Sequence, residues 1–434
     1  MSAQSYDAVV IGSGVIGSSI TYELGRRGLR TLTIDRNGGA GLGSTSFSSA
    51  IVRFTYSTYP GVAMSYEGLA YWQNWREHLN ADDDDDLAKF HQCGMATLKT
   101  TGGHHLKVLP HFDSIGIPYE HWDLEAFREH LPELDLRSFG PPKRPDDDDF
   151  WDDPTELLEG ALFTPEAGYI SDPQLAAQNL YRAATELSCE FLFNTEVVSI
   201  IQNGGRITGA QLADGTTIST PVIVNAAGPH SRVINEMAGA MEDMSIGTTP
   251  LRQEVHHVPS PAELDFEHRG FSIADDDNGI YIRPDLGNNI LVGSTEPDCD
   301  PLHWVEPDYQ GEINAGQWEA QVLRLNRRLP SVGVPHHKRG IVGVYDVSDD
   351  WIPIYDRTCV DGFYVAIGTS GNQFKNAGIA GYCMSELIAA VESGWDHDTD
   401  PISVTGPHTE LTIDMGNFRR TRTINPDSSM SVHG

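Results

Sequence analysis

The sequence predicts an α/β protein, α+β overall, in which a Rossmann-like domain is assembled from discontinuous segments and a second domain is built on antiparallel sheet. Three observations predict it. The chain opens with strand, glycine turn, helix and strand ending on an acid; a second strand, glycine turn and helix end near residue 393; and two long insertions lie between these pieces. The first insertion, about 86–164, is punctuated by proline and acid, the second, about 245–340, is rich in strand patterns, and no internal repeat is visible.

"YDAVVIG" is an apolar run of strand length, followed at once by "GSGVIG", Gly12 to Gly17. Ile16, Ile20 and Leu24 then recur every fourth residue, as on one helix face, and Gly25 and Gly28 mark the helix end. "LRTLTID" supplies a second strand closing on Asp35, eighteen residues after Gly17. Gly12, Gly14 and Gly17 allow a tight turn and a close approach of backbone to a pyrophosphate, the helix N-terminus faces the phosphates, and Asp35 can bind ribose hydroxyls. The complete pattern predicts an adenine-dinucleotide site.

"SYEGLAYWQNWREHL", Ser65 to Leu79, reads as a helix with Leu69, Trp72 and Trp75 on a core-facing side. "SDP" before "QLAAQNLYRAATEL" is a helix start, with small alanines left to pack closely. "FLFNTEVVSIIQNGGRITGAQLADGTTIS" alternates as strands joined by "NGG" and "DG" turns, and "PVIVNAAGPHS" is a buried strand running into a small-residue turn. The first domain then takes residues 1–85, 165–244 and 341–395, and the second takes 86–164 and 245–340. Residues 396–434 lose periodicity and form a C-terminal tail read as a loose surface wrap.

A chain of 434 residues is long enough for two or three domains. Its formal charge of −33 disfavours nucleic-acid binding, since phosphates would be repelled. Much of the acid sits in "ADDDDD" (Ala81 to Asp86), "PDDDDF" (Pro145 to Phe150) and "ADDDN" (Ala274 to Asn278), which read as hydrated, exposed loops; a docking face for a basic partner is the alternative. No eighteen-residue apolar run predicts a membrane span, and the absence of a signal-peptide pattern after Met1 points to the cytoplasm. The five cysteines, 93, 189, 299, 359 and 383, have no CxxC spacing and read as free thiols, with no metal site.

One further stretch, "SFSSAIVRFTY", places Arg53 among small and apolar neighbours. A lone cation there either reaches the surface or anchors an anion. In chain order, "VIGSGVIG", "AGYISDPQL", "VIVNAAGPHS", "NGIYIRPDLGNNILVG" and "IGTSGNQFKNAGIAG" resemble the flavin-dependent amine oxidoreductases of the D-amino-acid oxidase and sarcosine oxidase superfamily, nearest the sarcosine oxidase branch, over about residues 5–393. The resemblance implies FAD as cofactor, making the first domain an FAD-binding domain and the second a substrate-binding domain. It implies that Gly12, Gly14, Val15, Ile16 and Gly17 lie at the pyrophosphate, Asp35 and Arg36 at the ribose, and Ser44 and Thr45 toward the flavin. Val197 would contact adenine, Ala227 and Gly228 would flank the dinucleotide, and Gly368, Gly371, Asn372, Gln373 and Phe374 would lie near the polar end of the ring.

By the same resemblance Arg53 grips a substrate carboxylate through its guanidinium fork, Lys375 stands beside the flavin as a second cation, and Tyr281 and Tyr345 line the substrate pocket. Arg53 could instead pair with a protein acid or a cofactor phosphate, and the tyrosines could be core residues. Three departures from the family pattern stand out. Gly343 replaces the cysteine that tethers FAD in several sarcosine oxidases, so noncovalent FAD is expected. Leu291 replaces a lysine associated with oxygen reduction, leaving O2 or another electron acceptor open. His230 replaces an aromatic residue, read as an ordinary substitution.

The implied reaction is oxidation of the C–N bond of a small N-substituted amino acid, of the sarcosine, dimethylglycine or iminodiacetate kind, by hydride transfer to flavin N5, with the imine then hydrolysed. A D-amino acid or cyclic imino acid is the alternative substrate. Oxidation of a 2-hydroxy acid, with His230 as the base, and a non-catalytic flavin-binding subunit are the further readings. A homo-oligomer is compatible with each.

Overall fold

The computed structural model describes residues 4–82, 85–100 and 103–433, and its central sheet is arranged around the opening strand. Among the described residues six strands run in the order Glu190–Leu192, Thr31–Ile34, Ala8–Ile11, Ile223–Asn225, Phe363–Ile367 and Ile354–Arg357. All neighbours are parallel except the last pair. The central strands are buried along their whole length, as their unbroken apolar runs require. This order brings Gly12, Asp35 and Ala226, each just past the carboxyl end of a strand, to one edge of the sheet, where open α/β sheets bind ligands.

The first helix, Val15–Arg26, packs against Pro173–Glu186 and Ala377–Glu392. Its approach to the latter is so close that a Cβ on Gly381 would lie 2.3 Å from Ser19 Oγ, and its own first turn sits so tightly on the preceding loop that a Cβ on Gly17 would lie 2.0 Å from the Gly12 carbonyl oxygen. The Pro173–Glu186 helix starts as predicted, with the Asp172 side chain accepting from the Leu175 N–H at 2.9 Å and with Ala176, Ala177 and Ala184 buried. The "NGG" hairpin is also present, joining Val197–Asn203 to Arg206–Leu212 through Gly204 and Gly205 at φ 62° and 83°.

The helix expected at Ser65–Leu79 begins at Tyr59, where Pro60 suits the first turn, and ends at Gln73; Trp75–Leu79 form a separate short helix. Leu69, Trp72 and Trp75 are buried, and Trp72 stacks on Phe374 with ring centroids 5.5 Å apart.

A larger sheet, mostly antiparallel, combines strands from both insertions: Met95–Leu98, Glu120–Trp122 and Ala161–Thr164 join Thr248–Pro259, Ser272–Asp275, Ile280–Asp285, Asn289–Ser294 and His303–Trp304. Gly340–Ser348 pairs with Thr248–Pro259 from Thr248↔Ser348 to His256↔Gly340, so this strand runs with the larger sheet.

The helix Ala315–Arg328 carries two buried arginines against this sheet, and they correct the reading of one acidic run. Arg328 pairs with Asp275 at 2.7 Å and Asp277 at 2.9 Å, and Arg324 with Asp300 at 2.7 Å. The 274–278 run is therefore mostly buried, because its carboxylates neutralise cations on a packed helix. Asp146 to Asp149 are exposed as expected, as are Asp82, Asp85 and Asp86, whereas Asp83 and Asp84 lie outside the described residues.

The tail is a second correction. Ser403–Thr405 and Thr412–Asp414 form a hairpin, Met415 and Phe418 are buried, and Arg420 pairs with Asp243, with Asp356 at 3.0 Å and with Asp398 at 2.9 Å. Arg422 pairs with Asp350 at 2.7 Å. Aperiodic sequence hides this docking because the tail is held by side-chain ion pairs, which carry no repeat.

Arg420→Met would leave Asp356 buried without its cation and is expected to cost about 3–5 kcal/mol in denaturant unfolding. A loss below 1 kcal/mol would show a loosely held tail. A second expectation concerns Asp346, whose Oδ2 accepts from the Gly368 N–H at 2.6 Å. Desolvation pushes this carboxyl up to about 7, so the folded chain keeps a proton that the unfolded chain releases near 3.8. Its stabilising contribution is present below about 4 and is lost as pH rises to 7. Asp346→Asn should therefore be more stable than the native protein at pH 8, by roughly 2–4 kcal/mol, with a smaller gap at pH 5 in thermal unfolding.

Candidate functional site

A cavity of about 640 Å³ opens at the sheet edge defined above. Gly12, Gly14, Val15, Ile16, Asp35, Arg36, Ser44, Thr45, Val197, Ala227, Gly228, Gly371, Gln373 and Phe374 all contribute to its wall. Gly17 lies beneath the turn, and Gly368 sits on Asp346 away from this wall. A Cβ at Gly12 would lie 2.4 Å from the Ala226 carbonyl oxygen, and Gly12 holds φ 105°, so the turn requires glycine.

The first helix begins at Gly14 with no capping side chain at that position and no acid in its first turn. No acid of its own first turn offsets its positive end, as suits phosphate. Thr45 Oγ1 accepts from the Val15 N–H at 3.0 Å, which ties the Ser44–Phe47 turn to the helix start. Asp35 accepts from the Ser13 N–H at 2.7 Å and the Asn37 N–H at 2.8 Å, which aims its carboxylate along the cavity rim. The glycine cradle, the helix start without an acid in its first turn and the oriented Asp35 fit a dinucleotide.

A smaller cavity of about 50 Å³ adjoins the first, and Ser48, Tyr345, Gly371 and Phe374 line both. Arg53, Lys375, Tyr281 and Asn372 line the smaller one, so the four residues assigned to substrate come together with Asn372 beside them. Arg53 follows the short strand Ile51–Val52 and is 7% exposed. Its guanidinium donates to the carbonyl oxygens of Thr55 at 2.8 Å and Val432 at 2.5 Å and lies 4.7 Å from the Tyr56 ring centroid. Lys375 Nζ is 4.7 Å from the same centroid and donates to Tyr56 Oη and the Asn372 carbonyl. Burial first, and the Arg53 charge second, hold Lys375 well below the usual lysine range. Among the described residues neither cation forms an ion pair.

Tyr281 packs on Leu291 and Val255, and Tyr345 covers Gly371, where a Cβ would lie 2.2 Å from the ring. Burial raises both hydroxyls, Tyr281 to about 12, so both remain protonated donors at neutral pH.

Several wall residues escaped the sequence reading. Phe47 and the loop Pro307 to Gly311 close over the larger cavity, and Asp308 bridges Arg36 and His230, the latter at 3.0 Å. His230 is thus a wall residue of the dinucleotide cavity and does not line the Arg53 cavity. Gly343 lines the larger cavity against Phe47, whose Cβ would lie 2.9 Å from a Cβ at that position. Tyr56 stood inside the "SFSSAIVRFTY" stretch, where its bridging of two cations could have been suspected. Glu296, Val432 and His433 gave no local signal.

Around Arg53, Glu296 accepts from the Gln253 amide at 2.9 Å and the Val432 N–H at 3.1 Å. Desolvation pushes its carboxyl up to about 8, Asp276 and Asp300 add to this, and Arg53 opposes it. His433 Nε2 lies 2.8 Å from Asp276, and its ring packs 4.8 Å from that of His104. Among the described residues no group of three or more potential ligands is arranged for a metal, and no helix is long and apolar enough to cross a membrane.

The profile of the FAD dependent oxidoreductase family matches residues 7–387. The β subunit of sarcosine oxidase from Arthrobacter sp. is 23% identical over 397 residues, covering 90% of this chain and 88% of the relative. Glycine oxidase from Geobacillus kaustophilus is 24% identical, covering 92% and 97%. In fold, the crystal structure of L-proline dehydrogenase from P. horikoshii superposes with a TM-score of 0.73 at 19% identity, covering 97% of this chain and 98% of that one. With a profile match over residues 7–387, most of its length, this chain belongs to the FAD dependent oxidoreductase family.

Proposed function

We propose that the protein oxidises the C–N bond of a small N-substituted amino acid, of the sarcosine, dimethylglycine or iminodiacetate kind, with noncovalent FAD. The observation that carries this reading is the shared wall: a cavity lined by Arg53 and Lys375, neither ion-paired among the described residues, adjoins the larger cavity through Ser48, Tyr345, Gly371 and Phe374. Sarcosine and glycine are the substrates in the names of the two relatives above, which supports a small amino acid.

Gly12, Gly14 and the first turn of the opening helix would hold the pyrophosphate, Asp35 the ribose, and Gly371 to Phe374 the ring end. Bound FAD supplies the two-electron acceptor. Arg53 would exchange its neutral carbonyl partners for a carboxylate, since charge-assisted hydrogen bonds are about twice as strong as neutral ones. Lys375 lies at the same end; burial and the Arg53 charge hold it well below the usual lysine range, and an arriving carboxylate would favour its protonated form. The protonated tyrosines line the same cavity, would donate hydrogen bonds to a bound substrate and help exclude water. The apolar Leu291 beneath Tyr281 supports an acceptor other than O2.

The test is anaerobic mixing of the purified flavoprotein with N-methyl, N-carboxymethyl and D-amino acids. Bleaching of the flavin band by the N-substituted set is expected, with slow recolouring in air. A band that persists across the panel would mark a flavin-binding scaffold instead. Arg53→Met should raise the half-saturating substrate concentration by two orders of magnitude or more, since losing one member of a buried charge pair costs roughly 2–5 kcal/mol. Unchanged saturation would remove Arg53 from substrate binding.

A further inference from the structure

Val432 is held at both ends by the candidate site. Its N–H donates to Glu296 Oε2 at 3.1 Å, and its carbonyl oxygen accepts from Arg53 at 2.5 Å. The N–Cα–C–O unit of a free α-amino acid has the same covalent dimensions as that of a residue in a chain, with a donor at one end and an acceptor at the other. Building on the reading of Arg53 above, we propose that Arg53 and Glu296 form a two-ended clamp that takes an amino acid by its carboxylate and its amine, and that Val432 occupies this clamp as a pseudosubstrate until an amino acid displaces it.

Four observations carry the proposal. Val432 and His433 themselves line the smaller cavity, so their displacement would enlarge a space now too small for an amino acid. Residues 425–433 contain no helix or strand, and they are held by separable contacts: Ser428 Oγ to the Asp350 carbonyl at 2.6 Å, Lys107 to the Asp427 carbonyl at 3.1 Å, and His433 to Asp276 at 2.8 Å. Glu296 and Met430 both sit at positive φ, 53° and 54°, a costly backbone conformation for residues of these types and one that recurs at ligand clamps. Finally, the segment offers the clamp only neutral peptide groups, whereas a zwitterion offers a full charge to each end.

The clamp predicts that amine and carboxylate recognition can be separated. Glu296→Gln keeps an acceptor but cannot ionise to meet an incoming ammonium, and Val432→Pro removes the N–H that holds the segment on Glu296. The flavin-loaded, full-length protein is titrated with sarcosine, followed by anaerobic flavin reduction, and with methoxyacetate, which lacks the amine, followed by the flavin absorbance shift. Glu296→Gln should raise half-saturation for sarcosine at least tenfold and move that for methoxyacetate less than twofold. Val432→Pro, in a segment without helix or strand whose side chain packs at the edge of the Leu251, Val347 and Trp351 cluster, should tighten both at least threefold. Equal shifts of both probes in Glu296→Gln, or no tightening in Val432→Pro, would overturn the clamp while leaving the Arg53 reading intact. If neither probe acts on the native protein, that reading itself fails and the clamp with it.

Discussion

Two basic side chains, Arg53 and Lys375, are buried against one tyrosine ring, and neither has an ion-pair partner among the described residues. Burying an unpaired cation is costly, and a second one nearby raises the cost. The surrounding chain supports them with carbonyl oxygens from Thr55, Asn372 and Val432 and with the face of Tyr56. These are neutral acceptors, so the site retains an attraction for an anion. The glycine turn at Gly371, the stacking of Phe374 on Trp72 and the docking of residues 425–433 all serve to hold this constellation beside the dinucleotide cavity.

Charge elsewhere in the molecule is handled in the opposite way. Arg324, Arg328, Arg420 and Arg422 are each buried with carboxylate partners, and together they bind the long helix of the second sheet and the C-terminal tail to the body of the protein. A chain so rich in acid can satisfy every structural arginine in this manner. That Arg53 is left without such a partner is therefore a property of its position, consistent with a ligand carboxylate taking that place.

The opening unit was legible because its signals are local. Apolar runs, a four-residue helical period and fixed glycine spacing lie within thirty residues, and the Asp35 offset follows from the length of one helix and one strand. The cap at Asp172 and the "NGG" hairpin were legible for the same reason. The tail and the 274–278 run were misjudged because polarity in sequence does not distinguish a hydrated acid from one paired with a buried arginine. That distinction depends on a partner fifty or more residues away, such as Arg328 for Asp275.

The sequence alone determined the glycine turn at the sheet edge, since close backbone approaches at Gly12 and Gly17 leave no room for a side chain and thereby restrict what can be built there. Motif order brought Arg53 and Lys375 into the same discussion. Only the tertiary structure decided that they meet on Tyr56, that Glu296 and Val432 complete their surroundings, and that Asp308 closes over the cradle. These contacts join residues 78 to 379 positions apart, and packing of one sheet against the other, which no local spacing encodes, is what brings them within hydrogen-bond reach.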